Sequence, residues 1–480
     1  MKMKSIKINV LLNVLLTLSN IIFPLVTFPY VSRILNPSGL GVTSFFNSIG
    51  NYGILLASLG ISTYGTRAIA KVREDKEKLE SVAQELMIIN ILMSIVVSLV
   101  LLILLFFIPK FHSESMLFFI TCLSILSSPF SLNWFYSGME EYGYITLRSI
   151  LFKLLSLVLI FVFVRQSSDY VNYAWITLFS TVGSNIFNFI YLRKFISYKI
   201  KTKLRFKEHF RPMWYLFASM LAVNIYTNLD TVMLGFISGD DAVGLFSLAT
   251  KVKWILLSVM TAASTVLLPR LSFYISKDQI NQFHRILRNS TTAILLVAIP
   301  TTLYFMIESK DSIIMLGGEA YIGAILPMII LMPILIISGF SNITGNQILI
   351  PLGREKYFMK AVVSGAIVNI CFNSLLMPTM GVIGAAFSTL IAELTQMLVQ
   401  VYYSQDVLLE SVNLSSVFKI LFSTMLASIA VYIFKSFIIS QVVFINLLLT
   451  GVIFFFAYFI VLILIKEETI YSIWGKLSKK

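Results

Sequence analysis

Five ionisable side chains stand inside long apolar runs: Lys153, Asp230, Lys251, Lys253 and Glu393. Arg33 and Arg148 stand near the ends of such runs. A charge in hydrocarbon costs about 2.5–3.5 kcal/mol on insertion scales, so residues of this kind face a cavity or a partner. Cations outnumber acids here, and a cationic cleft suits an anionic group such as a phosphate. Lys251 and Lys253 are two positions apart, about 200° around a helix, so they cannot both face one cleft. Lys251 is expected in the cleft or paired with Asp230, and Lys253 as a packing or snorkelling residue. Asp230 either binds a cation or neutralises Lys251. Arg33 and Arg148 act on substrate or anchor the outer and inner surfaces, respectively. Lys153, one to two turns deeper than Arg148, lines the path or snorkels, and Glu393 reads as a polar helix contact.

Other chemistries find no support. His112, His209 and His284 share no helical turn, and Cys122 and Cys371 each sit in an apolar run, so neither a metal site nor a disulfide framework is expected. No Gly-x-x-x-x-Gly-Lys-Ser/Thr occurs, so direct use of ATP is not expected, nor is any cofactor. Coupling to a Na+ or H+ gradient or to the membrane potential is the expectation that Asp230 motivates.

The elements that must position these residues follow from composition. Of the 480 residues 58% are hydrophobic and 12% charged, against about 25% charged in an ordinary soluble domain. With a mean hydropathy of +0.87, lipid must be the solvent for much of the surface. The runs are far longer than the roughly 10 residues of a barrel strand and do not alternate, so the expected fold class is an all-α integral membrane protein. Spans of roughly 20 apolar residues are expected at 9–31, 40–62, 83–108, 116–137, 146–165, 172–192, 212–237, 243–268, 286–307, 321–348, 359–378, 382–403, 417–439 and 442–465, about fourteen transmembrane helices. The first, behind Met-Lys-Met-Lys, is too long for a signal peptide and reads as an uncleaved span. Pro24 and Pro29 make it a candidate moving element, or else kink it for packing.

With the N-terminus inside, 29 lysines and arginines fall in inside segments and five in outside ones. That bias predicts an N-in, C-in chain. The net charge of +14 is therefore a topology signal, and the basic run of residues 193–211 reads as a linker near anionic lipid, not as a nucleic-acid site.

This linker separates two similar halves. At an offset of 203 positions, Gly41, Ser44 and Arg67 fall on Gly244, Ser247 and Arg270. Both halves have the form span, short polar turn, glycine, span, arginine, and six intervening helices make the repeat parallel. The expected organisation is an N-terminal lobe (1–192), the basic linker (193–211), a C-terminal lobe (212–405) and an appended helix pair with a cytoplasmic tail (406–480). The lobes would be two pseudo-symmetric six-helix bundles around a cleft suited to alternating access, with Arg33, Asp230, Lys251 and Lys253 in its central elements.

Three segments carry a resemblance: Phe28-Pro-Tyr-Val-Ser-Arg-Ile-Leu-Asn-Pro-Ser-Gly-Leu-Gly41, Pro129-Phe-Ser-Leu-Asn-Trp-Phe-Tyr-Ser-Gly-Met-Glu140 with Arg148 and Lys153 after it, and Gly381-Val-Ile-Gly-Ala-Ala386. Together they resemble the polysaccharide transporter family of Wzx-type oligosaccharide repeat-unit flippases, in the multidrug/oligosaccharidyl-lipid/polysaccharide exporter superfamily. The resemblance spans essentially the whole chain. It implies movement of undecaprenyl-pyrophosphate-linked oligosaccharides across a bacterial cytoplasmic membrane for capsule- or O-antigen-like polymers. Implied partners are that substrate, membrane lipids, a polysaccharide polymerase and glycosyltransferases. The substrate contacts it suggests are Arg33, Lys251, Lys153, Arg148, Asn133 and Trp134. Trp134, with Phe135 and Tyr136, stacks on sugars or forms an interfacial belt. Asp230, Glu140, Pro24 and Pro29 would couple or gate, with Glu140 and Arg148 as a pair at the cytoplasmic gate. The related lipid II flippases carry an arginine at about the place of Lys251 and further arginines in span two. Tyr52 and Gly53 stand in that span here, which argues against lipid II as substrate.

Two rival functions remain. A multidrug cation antiporter of the same architecture would want an acidic cleft. A membrane polymerase or glycosyltransferase would want a large soluble loop or an acidic catalytic cluster, and the longest outside loop is about 308–320.

Overall fold

The structure, a computed structural model, describes residues 6–199, 204–437 and 442–471. Lys201 and Lys203 of the basic run, and the tail beyond 471, lie outside the described residues. Among those described there is no strand, and the described residues of the expected apolar segments lie mostly on helix. Among the described residues eight helices are long and apolar enough to cross a membrane, and nine if the bent pair Glu319–Leu331 and Ile334–Leu349 counts as one. Two of the eight, Leu11–Val72 and Glu355–Ser411, contain an internal break, and each covers two of the expected segments.

The surface is what a lipid environment requires. Phe106, Phe107 and Phe437 are each more than three-quarters exposed, whereas Ser32, Asn188, Thr344, Gln400 and Ser404 are fully buried. Apolar side chains gain nothing from hiding when the solvent is hydrocarbon, and polar ones must find partners inside.

Breaks in the helices have local causes. The first helix, Ile6–Ser58, keeps helical dihedrals through Pro24 and Pro29 and breaks at Asn36 (φ 58°, ψ 175°), just before Pro37. The break therefore stands where the residue before a proline is driven out of the helical region. The hairpin Glu355–Ser411 turns at Gly381 (φ 54°), three residues after Pro378. Gly239 (φ 86°, ψ −177°) precedes the helix Asp240–Ser276. Asn36 and Gly239 thus carry the same left-handed, extended backbone at the repeat offset read from the sequence.

The chain divides into two compact units, Met1–Gly235 and Phe236–Lys480. The helix Phe206–Ile237 begins inside the expected linker and lies almost wholly in the first unit. In the second, the C-terminal pair Leu414–Phe437 and Val443–Leu464 packs on the helix Ile280–Ile307. The Tyr304 and Tyr458 hydroxyls donate to the backbone oxygens of Leu447 (2.7 Å) and Leu296 (2.9 Å), and Lys435 meets the buried Glu308 at 2.7 Å.

Candidate functional site

The first unit holds a cavity of about 420 Å³. Its construction starts at Pro129, where the helix Ser115–Ser127 gives way to a short 3-10 turn. Leu132 in the left-handed region (φ 49°) then launches the helix Asn133–Gly138. This brings Trp134 against the helix Ile61–Val72. A Cβ on Gly65 would stand 2.6 Å from the indole, and one on Gly138 would stand 2.8 Å from Ile69. The two glycines are what let these helices approach. Trp134 is only 5% exposed, so it is a cavity wall and not part of an interfacial belt.

The other walls are uncharged and mix polar side chains with the apolar Ile54, Leu55, Ile61 and Met220. Asn51, Ser58 and Ser62 come from the first two helices, Asn90 from Lys76–Phe107, Ser124 and Ser131 from the region before Trp134, and Asn185 from Tyr170–Leu192. An adjoining cavity of about 310 Å³ shares Asn51, Ile54, Ser124 and Thr181 and adds Asn47 and Thr121. Neither lining includes a carboxylate, an ammonium or a guanidinium. Trp134 Nε1 and Asn90 Oδ1 are buried and have no hydrogen-bond partner among the described residues. A neutral donor and a neutral acceptor are thus left over at the wall of a polar chamber. Such a wall can exchange hydrogen bonds with hydroxyls, and it offers no counter-charge to an ion.

The ionisable residues singled out in the sequence lie elsewhere. Arg148 is buried, donating from Nη1 to Asn188 Oδ1 and from Nη2 to Asn133 Oδ1 at 3.0 Å, with Tyr144 5.7 Å away as a ring partner. Asn188 is itself held, its amide donating to the Ser131 backbone oxygen and its own backbone oxygen accepting from Tyr136. Arg148 and Asn133 are therefore brought together as a tie between helices. Lys153 donates to Ser19 Oγ at 2.9 Å and to Asn20 Oδ1, fastening the helix Tyr142–Phe163 to the first helix. Arg33 is exposed, Asp230 is buried in the first unit, and in the second unit Lys251 is half-buried while Lys253 is buried 5.6 Å from the Trp254 ring. Glu393 accepts from Ser338 at 3.1 Å, the polar helix contact expected.

One expected pair is corrected. Glu140 does not meet Arg148 but Arg73, at 2.6 Å, across the ends of two helices. Glu140 has a left-handed backbone (φ 58°), which turns its side chain away from the helix Tyr142–Phe163 that carries Arg148. Hydrogen bonding and charge from Glu140 raise the Arg73 pKa above its already high ordinary value, so Arg73 stays charged.

Two further features were not singled out in the sequence. One is the neutral cavity itself, although Asn47, Asn51, Ile54, Ser58 and Ser62 recur at helical spacing and would have marked one polar face. The other is a buried cluster in the first unit, in which Glu85 meets His209 and Tyr64 bonds the same imidazole.

Comparison with known proteins completes the description. The family described as "Polysaccharide biosynthesis protein" matches residues 6–275, more than half of the chain. The chain belongs to this family. The MatE family also matches, over residues 216–375. A protein of Escherichia coli (strain K12) described as an O-antigen transporter is 23% identical over 391 residues, which cover 81% of this chain and 94% of that one. A protein of Haloferax volcanii described as a low-salt glycan biosynthesis flippase is 24% identical over 43% of this chain and 44% of its own. Among solved structures, the lipid II flippase MurJ in an inward closed conformation superposes with a TM-score of 0.75 at 16% identity, covering 95% of this chain and 98% of that one. The polysaccharide biosynthesis family member described here is thus a helical membrane protein with the fold of the multidrug/oligosaccharidyl-lipid/polysaccharide exporter superfamily, as the sequence resemblance implied.

Proposed function

We propose that the chain is a flippase for lipid-linked oligosaccharide repeat units, carrying them across the bacterial cytoplasmic membrane by alternating access. The observation that carries this reading is the neutral chamber in the first unit. Asparagine, serine and threonine side chains match the hydroxyls of sugars in both donor and acceptor roles. At about 420 Å³ the chamber falls within the range of roughly 300–1,000 Å³ usual for ligand pockets. Trp134 adds an aromatic surface beside these polar groups. A multidrug cation antiporter would be served poorly by a wall without carboxylates.

The family and the descriptions of its relatives support the same class of substrate. In this reading the saccharide enters the neutral chamber, Arg33 and Lys251 are each candidate contacts for an undecaprenyl pyrophosphate, and the polyprenyl tail stays in lipid. The chain crosses fourteen times with both ends inside, as the charge bias favours. It works beside a polymerase and glycosyltransferases, with an ion gradient or the membrane potential as the driving force. Transport into sealed vesicles that ignores pH, sodium and potential alike would exclude such coupling.

The test is deletion of the gene in its host, complemented by wild type, Lys251→Ala or Asn51→Ala/Asn90→Ala. The deletion should lose its surface polysaccharide and trap lipid-linked units in the inner leaflet. Wild type should restore export and both variants should restore it poorly. Unchanged polysaccharide in the deletion, with raised sensitivity to cationic drugs, would overturn the proposal in favour of the antiporter.

A further inference from the structure

The second unit carries a groove of about 830 Å³ between the arms of the hairpin Glu355–Ser411. Lys360 and Tyr402 stand at equal separations in sequence before and after the Gly381 turn, roughly 30 Å along each arm at 1.5 Å per residue. That is about one hydrocarbon thickness, so the turn and the Lys360–Tyr402 level belong at opposite interfaces. The groove is graded along this axis. Val363, Leu398 and Val399 form its wall on the side of the turn, and Lys356, Lys360, Tyr402 and Tyr403 gather at the far end. Val363, Leu398 and Tyr402 are exposed, so the wall opens outward.

The charged end is rigid. Tyr357 and Tyr403 stack with centroids 4.2 Å apart, and Lys360 Nζ lies 5.4 and 5.6 Å from the two rings. Arg354 binds Asp406 through two hydrogen bonds of 3.0 and 2.8 Å, fastening the arms together and neutralising the nearby carboxylate. Among the described residues Lys356 and Lys360 form no ion pair, and no acid lines the groove. Two uncompensated ammonium groups at headgroup level above an apolar wall complement an amphiphile whose head is anionic.

We propose that this groove binds an anionic phospholipid, with its phosphate against Lys356 and Lys360 and an acyl chain along Val363 and Leu398. The aromatic rings sit at the level where they anchor membrane proteins, and the Arg354–Asp406 clamp keeps the lysines poised. Selectivity follows from charge, because a zwitterionic headgroup carries its own cation to the same place. This site is separate from the neutral chamber and does not depend on the flippase reading.

The experiment uses the full chain, purified and delipidated in detergent. It is titrated with phosphatidylglycerol or phosphatidylcholine, and bound lipid is counted by native mass spectrometry. Wild type should prefer phosphatidylglycerol. Lys356→Gln/Lys360→Gln should reduce that preference roughly thirtyfold, since each lysine near an anionic lipid is worth about 1 kcal/mol and about 1.4 kcal/mol is tenfold. Lys356→Arg/Lys360→Arg and the distant Lys310→Gln should keep it. Leu398→Trp, which narrows the wall without touching charge, should weaken retention of the lipid as well. An unchanged preference in the glutamine pair overturns the proposal. So does displacement of phosphatidylglycerol by equimolar undecaprenyl phosphate in wild type but not in the glutamine pair, which would assign the groove to an isoprenoid phosphate instead.

Discussion

Glu85 Oε2 lies 2.6 Å from His209 Nε2, and both side chains are less than a tenth exposed. The second imidazole nitrogen meets the Tyr64 hydroxyl at 2.8 Å. The other carboxylate oxygen accepts from Ser81 Oγ at 3.0 Å and from the Arg205 backbone N–H at 2.8 Å. Segments beginning near residues 61, 76 and 205 are thereby joined at one point. Removing the imidazole leaves a buried carboxylate and a half-buried phenol each short of a partner, at a cost of about 1–3 kcal/mol. His209→Ala should therefore melt lower than wild type in detergent. Coincident melting curves would mean that desolvation cancels the pair's attraction, as happens at some buried ion pairs.

Arg148 joins Asn133 and Asn188 through two nitrogens of one planar group. A lysine ammonium is a single point and cannot span both amides. Arg148→Lys is expected to destabilise the first unit by about 1–3 kcal/mol despite keeping the charge. Asn188→Ala should cost a similar amount, and the double variant should cost less than the sum because the two share one interaction. Additive losses in thermal melts would show that the bonds act independently.

The wall of the neutral chamber depends on Gly65 having no side chain. Gly65→Ala would set a Cβ 2.6 Å from the Trp134 ring, so the indole must move. Polysaccharide export should drop several-fold while the amount of protein in the membrane stays near that of wild type. Full export by Gly65→Ala would show that the position of the indole is immaterial to transport.

Asp169 lies between the helices Tyr142–Phe163 and Tyr170–Leu192 and accepts from the backbone N–H groups of Arg165 and Gln166, each at 2.9 Å. These bonds favour the charged form and hold its pKa below the usual carboxylate range. A depressed folded pKa adds stability that is present above the unfolded value, about 4, and is lost as pH falls through the folded value. Asp169→Asn should thus lower the melting temperature at pH 7 and narrow the gap from wild type on acidification towards pH 3. A gap that stays constant between pH 7 and pH 3 would contradict this.

Much of the architecture could be read along the chain because lipid solvation acts on local composition. Runs of apolar residues must form helix to satisfy their backbone, whatever lies around them. The breaks at Asn36, Gly239 and Gly381 fall in the short stretches between expected segments, each set by the backbone freedom of a few residues. At the offset of 203 positions read from the sequence, Asn36 and Gly239 share a backbone conformation.

The site was less legible. Ionisable residues attract notice in an apolar sequence, yet in the first unit Arg148 and Lys153 turned out to fasten helices together. Asn51, Ser62 and Asn90 drew no notice because serine and asparagine are inexpensive in spans and occur there for packing alone. Sequence by itself determined that this is a helical membrane protein and roughly where its apolar helices run, since hydropathy is a property of neighbours along the chain, although the first helix breaks at Asn36 and not at Pro24 or Pro29. Only the tertiary structure decided that Glu140 meets Arg73, that Glu85 meets His209 and that neutral residues from several helices enclose one chamber. Hydrogen bonds and ion pairs act over a few ångströms through space, and which side chains come that close depends on how the helices pack.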